Sequence, residues 1–191
     1  QDKVSKFVGD PIERIKEDYL RILRYFRFQS KLESPSWDQE TLNAIKDNAK
    51  GLTQVSVERI WQEMGKLLVG HSVIQTLSYM SATGVDSVVG LDTGKIARLR
   101  DLKDNTDPII ALAVLVDDTS IANQWKLSNA EAQDLKFYLS YRNKKLNKDQ
   151  VEHLVIDGVD KSKIINLLKI QNNNELINYI DKFEIPKFPI T

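Results

Sequence analysis

Apolar residues recur every three or four positions through most of this 191-residue chain, which is the spacing of helices that bury one face. No segment alternates apolar and polar residues convincingly, and no two such segments are joined by a hairpin turn. No period of about 34 or 40 residues recurs, which disfavours stacked helical repeats. The pattern therefore predicts an all-α, multi-helix fold with no β-sheet.

The clearest helix start lies at Asp10-Pro11. Asp10 suits the N-cap and Pro11 suits the first helical position, where its missing N–H costs nothing. Glu13 suits the third position, where a carboxylate meets free backbone N–H groups. The same apolar spacing continues to Lys31 and stops before Ser34-Pro35, because the residue before a proline disfavours helical geometry. We therefore predict a single helix from Pro11 to about Lys31.

Residues 85–105 show the weakest periodicity and contain two glycines and a charged run, so we predict a boundary there. The predicted parts are a first helical domain over 1–84 and a second over 85–183. Residues 184–191 hold two prolines and should be extended, as the start of a further segment. The chain begins with Gln1 and ends without a closing pattern, so we expect it to belong to something longer.

Composition excludes several classes of protein. Lys plus Arg and Asp plus Glu number 27 each, so the chain as a whole is not a non-specific polyanion binder, and any RNA surface requires uneven placement of charge. The absence of Cys excludes disulfides and thiolate zinc sites and suits the reducing cytoplasm, where we expect the protein. The sequence has no run of about 18–20 apolar residues, which is the length needed to span a bilayer. His71 and His153 lack carboxylates at ligand spacing, so no metal site is predicted.

On the predicted first helix, one face is apolar and the other combines arginines, acids and aromatic rings. This polar face holds Arg14, Glu17, Asp18, Arg21, Arg24, Tyr25 and Phe28. Three residues apart on a helix, Asp18 and Arg21 lie side by side and offer an acceptor beside a donor. The base edges of cytosine and adenine match that pair, whereas guanine and uracil place acceptor against acceptor. The spacing alone also fits an ordinary exposed ion pair, since Glu17 and Arg21 are four residues apart.

Residues 7–28 contain four short patterns in order: Gly-Asp-Pro, Arg-Ile, Glu-Asp-x-x-Arg and Arg-x-x-Arg-Phe. This string closely resembles the neck segment of bacterial-type tRNA nucleotidyltransferases, the CCA-adding enzymes, and of their poly(A) polymerase relatives. The resemblance implies that Asp18 and Arg21 form Watson–Crick-like contacts with an incoming base and that Glu17 orients Arg21. It also implies that Arg24 faces the triphosphate or the primer end.

Further motifs extend the resemblance over nearly the whole chain, with 1–84 as neck, 85–183 as body and 184–191 as the start of a tail. The segment 55–64 resembles the family's Ser-x-Glu-Arg-Ile motif, whose role is to brace the base-reading helix. Arg59 and Glu63 are the candidates for that brace, although the same spacing fits a surface ion pair. The Leu-Ser-Asn-x-Glu pattern at 127–131 also predicts a helix start, because Ser128 and Glu131 form a capping box.

The resemblance further implies a catalytic head domain before the neck, holding a Gly-Gly motif, paired carboxylates that bind two Mg²⁺ ions, and an Arg-Arg-Asp motif. Residues 1–9 contain none of these, so we expect no catalytic residue and no metal ligand in this chain. Nucleotidyl transfer depends on such metals to activate the primer hydroxyl and stabilise the leaving group. We therefore predict that the chain alone has no polymerising activity.

The implied substrates are ATP and CTP, and the implied partner is the 3′ end of tRNA. Three functions fit the residues. The first is the nucleotide-selecting and tRNA-binding part of an enzyme that adds C and A to tRNA, and the second is the same part of a poly(A) polymerase or of a relative that adds only CC or only A. The third, from another class, is a non-catalytic helical RNA-binding module. No pattern in the sequence indicates the oligomeric state.

Overall fold

The computed structural model describes residues 10–102 and 107–184, and every regular element in these ranges is helical, which confirms the predicted fold class. The first half contains α1 Pro11–Glu17, α2 Leu20–Lys31, α3 Gln39–Asn48, α4 Val57–Leu68, α5 Val73–Ala82 and α6 Val85–Val89. The second half contains α7 Pro108–Leu115, α8 Ser120–Gln124, α9 Asn129–Tyr141, α10 Lys148–Ile156, α11 Lys161–Ile170 and α12 Asn174–Lys182. Short 3-10 helices cover Ala49–Gln54 and Ile96–Asp101.

The prediction of one continuous helix from Pro11 to Lys31 is wrong, because the helix is interrupted at Asp18 and Tyr19. Asp18 has extended backbone angles, φ −157° and ψ 104°, and ends α1. Its Oδ1 then accepts a hydrogen bond from the backbone N–H of Leu20 at 3.1 Å, as a cap for the helix that follows. The apolar spacing continues across the interruption, which is why the sequence pattern did not reveal it.

Tyr19, at this break, packs closely against another part of the chain. The ring of Tyr19 lies so close to the backbone of Gly51 that a Cβ built on Gly51 would stand 2.0 Å from two ring carbons. Only a residue without a side chain allows that approach. The 3-10 helix that contains Gly51 therefore packs directly against the residue at which the chain turns from α1 into α2.

The main hydrophobic core is built around α2, α4 and α7. Helix α2 packs on α4 and α5 through Leu23 and Phe26, which are buried along with Met64 and Leu67 of α4. Every residue from Ile109 to Leu115 in α7 is buried, as its uninterrupted apolar sequence requires. This core includes residues before and after the predicted boundary at 84/85, and the assignment of neck and body domains stays a prediction.

A second, smaller core joins α10, α11 and α12, and it consists of Val151, Val155, Ile164, Leu168, Leu176 and Ile180. The predicted capping box at the start of α9 is confirmed, because Ser128 and Glu131 exchange both hydrogen bonds. No helix within 10–102 or 107–184 is long and apolar enough to cross a membrane. Of the predicted tail over 184–191, residues 185–191 lie outside the described part of the chain.

Candidate functional site

The break between α1 and α2 brings together the residues predicted to read a base. Arg21 occupies the first turn of α2, and its backbone N–H donates to the carbonyl oxygen of Asp18 at 3.0 Å. The side chains of Asp18 and Arg21 are 28% and 26% exposed, so both reach solvent from a partly buried position. Because Asp18 is extended, the two do not share one helical face as predicted; they are neighbours across a turn. That they contact a nucleotide stays a prediction.

The guanidinium of Arg21 is held from two sides. Its Nη1 donates to Glu17 Oε2 at 2.5 Å and to the carbonyl oxygen of Arg14 at 2.8 Å, the latter in the last turns of α1. The hydrogen bond from Arg21 lowers the pKa of the Glu17 carboxyl below its ordinary value. Glu17 therefore stays ionised near neutral pH and fixes the direction of the arginine, which is the geometry that an orienting residue requires.

Helix α4 supplies both residues predicted to brace this segment. Arg59 Nη2 lies 3.4 Å from Asp18 Oδ2, and Glu63 reaches two arginines of α2. Glu63 Oε2 is 3.1 Å from Arg27 Nε and Oε1 is 3.9 Å from Arg24 Nε, with the Glu63 side chain only 8% exposed. The contacts join α4 to both ends of the candidate site, and the bracing role itself stays a prediction.

The pair of Glu63 and Arg27 is electrostatic rather than a well-formed hydrogen bond. Although Nε and Oε2 are 3.1 Å apart, neither atom has a hydrogen-bond partner within 10–102 or 107–184, since the N–H is not aligned with the carboxylate. Both groups are largely buried, at 8% and 16% exposure. Attraction between opposite charges is strong in such surroundings, so the pair favours the packing of α2 against α4 without requiring one fixed geometry.

Two residues of the predicted polar face behave differently from each other. Tyr25, which the sequence placed on that face, is buried at 5% exposure, and its ring packs edge-on against Trp37 at 6.2 Å. Burial raises the pKa of its hydroxyl. Phe28, in contrast, is 50% exposed, and the Arg27 guanidinium lies 4.6 Å from its ring centroid. No role was predicted for Arg27 from the sequence, although the regular spacing of Arg21, Arg24 and Arg27, three residues apart in turn, was the available signal.

No cluster of three His, Asp or Glu side chains suited to a metal ion occurs among the described residues. His153 Nδ1 lies 2.6 Å from the carbonyl oxygen of Asp149, within its own helix. A carbonyl accepts hydrogen bonds, so Nδ1 carries the proton in that contact. The ring is thus engaged in a local backbone contact.

Comparison with known proteins gives matches over the whole chain. Residues 36–88 match a family model described as "Probable RNA and SrmB- binding site of polymerase A". The chain is 34% identical to the CCA tRNA nucleotidyltransferase 1, mitochondrial, of Danio rerio and 32% identical to that of Homo sapiens, over 214 aligned positions in each case. Each match covers 100% of this chain and 49% of the relative, so the chain spans about half the length of these relatives.

Two bacterial proteins are also similar to this chain, one in sequence over a shorter part of it and one in fold. A CCA-adding enzyme of Limosilactobacillus reuteri is 39% identical over 134 residues, which covers 70% of this chain and 28% of that protein. The crystal structure of the Bacillus stearothermophilus CCA-adding enzyme in complex with CTP aligns with a TM-score of 0.77 at 22% identity. That alignment covers 94% of this chain and 50% of the other, and it shows that the two share a fold.

Proposed function

Because the chain belongs to the family of tRNA nucleotidyltransferases and poly(A) polymerases, we propose that it selects nucleotides and binds tRNA within an enzyme that adds C and A to the tRNA 3′ end. The observation that carries the proposal is the arrangement of Asp18 and Arg21 at the break between α1 and α2. Both are partly exposed, and each is oriented by a neighbour, Arg59 and Glu17 respectively.

This arrangement supports selection of a base by hydrogen bonding. Arg21 offers five N–H donors, of which Glu17 and Arg14 engage those on one nitrogen, so others can meet ring N3 of cytosine or N1 of adenine. Among the residues that the structure describes, Asp18 Oδ2 has one long contact, to Arg59, so it can accept from the exocyclic amino group that both bases carry. Uracil and guanine present a carbonyl oxygen to Asp18 and a ring N–H to Arg21, which repel both groups.

The orientation of Arg21 before a nucleotide arrives contributes to this selection. A freely rotating arginine could turn away from a mismatched base, whereas one held by Glu17 and the Arg14 carbonyl cannot do so without breaking two hydrogen bonds. A wrong base therefore leaves donors and acceptors unpaired, and such pairs discriminate by about 1–3 kcal/mol for each bidentate contact.

The chemical step requires groups beyond those described. The family resemblance implies two Mg²⁺ ions, and the described residues offer no carboxylate cluster that fits them. We therefore assign the metals to a preceding catalytic domain and propose that this chain, purified alone, does not incorporate nucleotides. Metal-dependent addition of labelled CTP or ATP to a tRNA by the 191-residue chain would contradict that proposal.

The test of base selection uses the complete enzyme, meaning this chain together with its catalytic domain. Asp18→Ala and Arg21→Ala are each expected to reduce the preference for CTP and ATP over UTP and GTP by about 5- to 150-fold, the equivalent of one bidentate contact. Lys16→Ala, which removes an exposed charge from α1, serves as the control and should leave selectivity unchanged. If both site variants keep the original selectivity, the proposed base-reading pair is wrong. A long run of A would instead indicate a poly(A) polymerase, and a product of CC alone or of a single A would indicate a relative that adds only CC or only A.

We also propose that the protein acts in the cytoplasm, supported by the absence of cysteine, which suits a reducing compartment. The Danio rerio relative carries the word mitochondrial in its name. Fractionation of cells that express the complete tagged protein distinguishes the two locations, and recovery in mitochondria would contradict the proposal.

A further inference from the structure

Helix α2 concentrates positive charge in a chain whose total charge is zero. Its twelve residues include Arg21, Arg24, Arg27 and Lys31 and no acidic residue. Arg21 lies in the first turn, where the positive end of the helix dipole disfavours a cation. A side chain that opposes local helix preference indicates a requirement other than helix stability. This uneven placement of charge is what an RNA surface on a neutral protein requires.

An exposed aromatic ring lies on the same side of this helix. Phe28 is 50% exposed and follows Arg24, itself 45% exposed, by four residues, so the two side chains lie one turn apart. Phe28 also follows Arg21 by seven residues, a separation of about 10 Å along a helix axis. Arg21, Arg24 and Phe28 therefore form a stripe that begins at the candidate base-reading pair and continues along α2.

The ring is held in place by a chain of charged contacts. The guanidinium of Arg27 lies 4.6 Å from the centroid of Phe28, and Arg27 in turn lies 3.1 Å from the buried carboxylate of Glu63. One face of the ring is thereby backed by a cation whose own position is set from α4. Half of the residue's surface remains accessible to solvent. An accessible ring with a cation behind one face suits stacking of a planar group.

Single exposed apolar residues are ordinary on proteins, and Ile12 and Ile156 are exposed here to 41% and 54%. Phe28 differs from them in its surroundings, because guanidinium groups flank it along the helix and back its ring. The exposed Arg24 beside the ring favours an anionic partner over an apolar one. A single-stranded nucleic acid, which alternates phosphates with stackable bases, matches both features.

We propose that Phe28 stacks on an unpaired base near the 3′ end of the RNA substrate while Arg24 contacts a phosphate of the same strand. The identity of the RNA rests on the proposed function, but the stacking site stands on α2 itself. Phe28 lies before the 36–88 segment that the family model describes as RNA-binding. Since α2 packs on α4 within that segment, the RNA surface would extend from α4 onto the solvent face of α2.

The experiment is a fluorescence titration of the 191-residue chain with a tRNA acceptor-stem minihelix that carries 2-aminopurine in its unpaired 3′ end. Stacking quenches this base, so the wild-type chain should quench it on saturable binding. Phe28→Ala should weaken binding by about 5- to 150-fold and abolish the quenching, from the usual contribution of one stacked base. Phe28→Trp should retain both, and Arg24→Gln should lower the salt dependence by about 0.7 in log–log slope.

Two controls separate ring stacking from general apolar contact. Phe28→Leu keeps apolar volume but has no ring, so it should bind like Phe28→Ala, and Ile156→Ala removes a similarly exposed apolar side chain without effect. The proposal is overturned if Phe28→Leu quenches and binds like wild type, if the wild-type chain does not bind, or if Phe28→Ala unfolds at a lower temperature by an amount that accounts for its weaker binding. Base selectivity measured with Asp18 and Arg21 variants is a separate readout, so either proposal can fail alone.

Discussion

Replacing Gly51 by alanine tests whether the break between α1 and α2 depends on close packing against Tyr19. The added Cβ would lie 2.0 Å from Cδ1 and Cε1 of the ring and 2.5 Å from Cγ. Rotation of the ring leaves Cγ in place, so the whole side chain must move by roughly 1.4 Å to reach ordinary contact distance. Overpacking of this kind costs about 1–3 kcal/mol, which corresponds to a fall of about 2–12 °C in melting temperature for a chain of this size.

The same displacement should reach the neighbouring Asp18. In the complete enzyme, a shift of about 1 Å at a positioning group can lower activity about 100-fold, so Gly51→Ala should impair nucleotide addition beyond its effect on stability. Gly65→Ala is the matched control, because its Cβ would meet atoms no closer than 3.7 Å inside α4. That variant should stabilise the chain by about 0.5–1 kcal/mol through the higher helix propensity of alanine.

A double variant decides whether the steric explanation is right. In a Tyr19→Ala background the ring carbons are absent, and Gly51→Ala should lose most of its destabilising effect. Thermal and urea denaturation of the four chains in this cycle give the coupling energy directly. An unchanged melting temperature for Gly51→Ala alone, or the same loss with and without the Tyr19 ring, would refute the reasoning.

Three other predictions concern the stability of the chain, measured by urea denaturation. Glu63→Gln leaves Arg27 largely buried without its counter-charge and should lower the free energy of unfolding by about 2–4 kcal/mol, somewhat less than the loss of a fully buried pair. Glu58→Gln, in an exposed pair with Lys126, is the control and should lower it by less than about 1 kcal/mol. Equal losses of stability in the two variants would contradict this. Ser128→Ala should cost about 0.5–2 kcal/mol by removing the capping box, and a neutral result would show that the cap is dispensable. Burial raises the pKa of Tyr138 to about 12, above its unfolded value of about 10. The protonated hydroxyl therefore contributes fully to the free energy of unfolding below pH 10. That free energy should fall by about 2–3 kcal/mol as the pH rises to 12, and the Tyr138→Phe variant should not show this fall.

Much of the fold follows from local features of the sequence. Apolar spacing is sufficient to predict helices. Short motifs predict the caps at Asp10 and Ser128, because each cap depends on residues within three positions of it. The interruption at Asp18 could not be predicted in this way, because Ile15 and Ile22 keep helical spacing across it. Tyr19 at the interruption contacts a glycine 32 positions further along the chain, and periodicity cannot reveal such a contact.

The candidate site shows the same limit. The spacing predicted that Glu17 and Arg21 interact, and they do. The spacing could not predict that Arg59 contacts Asp18, because the two residues are 41 positions apart. Nor could it predict that Glu63 lies within ion-pair distance of both Arg24 and Arg27. Residue types identified the candidates, whereas their partners depend on how α4 packs against α2.

The interruption also gives Glu17 and Arg21 an arrangement that a continuous helix would not provide. Glu17 lies at the C-terminal end of α1, where the helix dipole disfavours a negative charge. Arg21 lies in the first turn of α2, where the dipole disfavours a positive charge. In an unbroken helix the two would form an ordinary pair that only stabilises the helix. Here each disfavoured charge compensates the other at the junction, where the helical N–H groups of α2 begin. The break therefore leaves a guanidinium that is 26% exposed and paired with an acid at the start of α2, which is where we propose that the nucleotide binds.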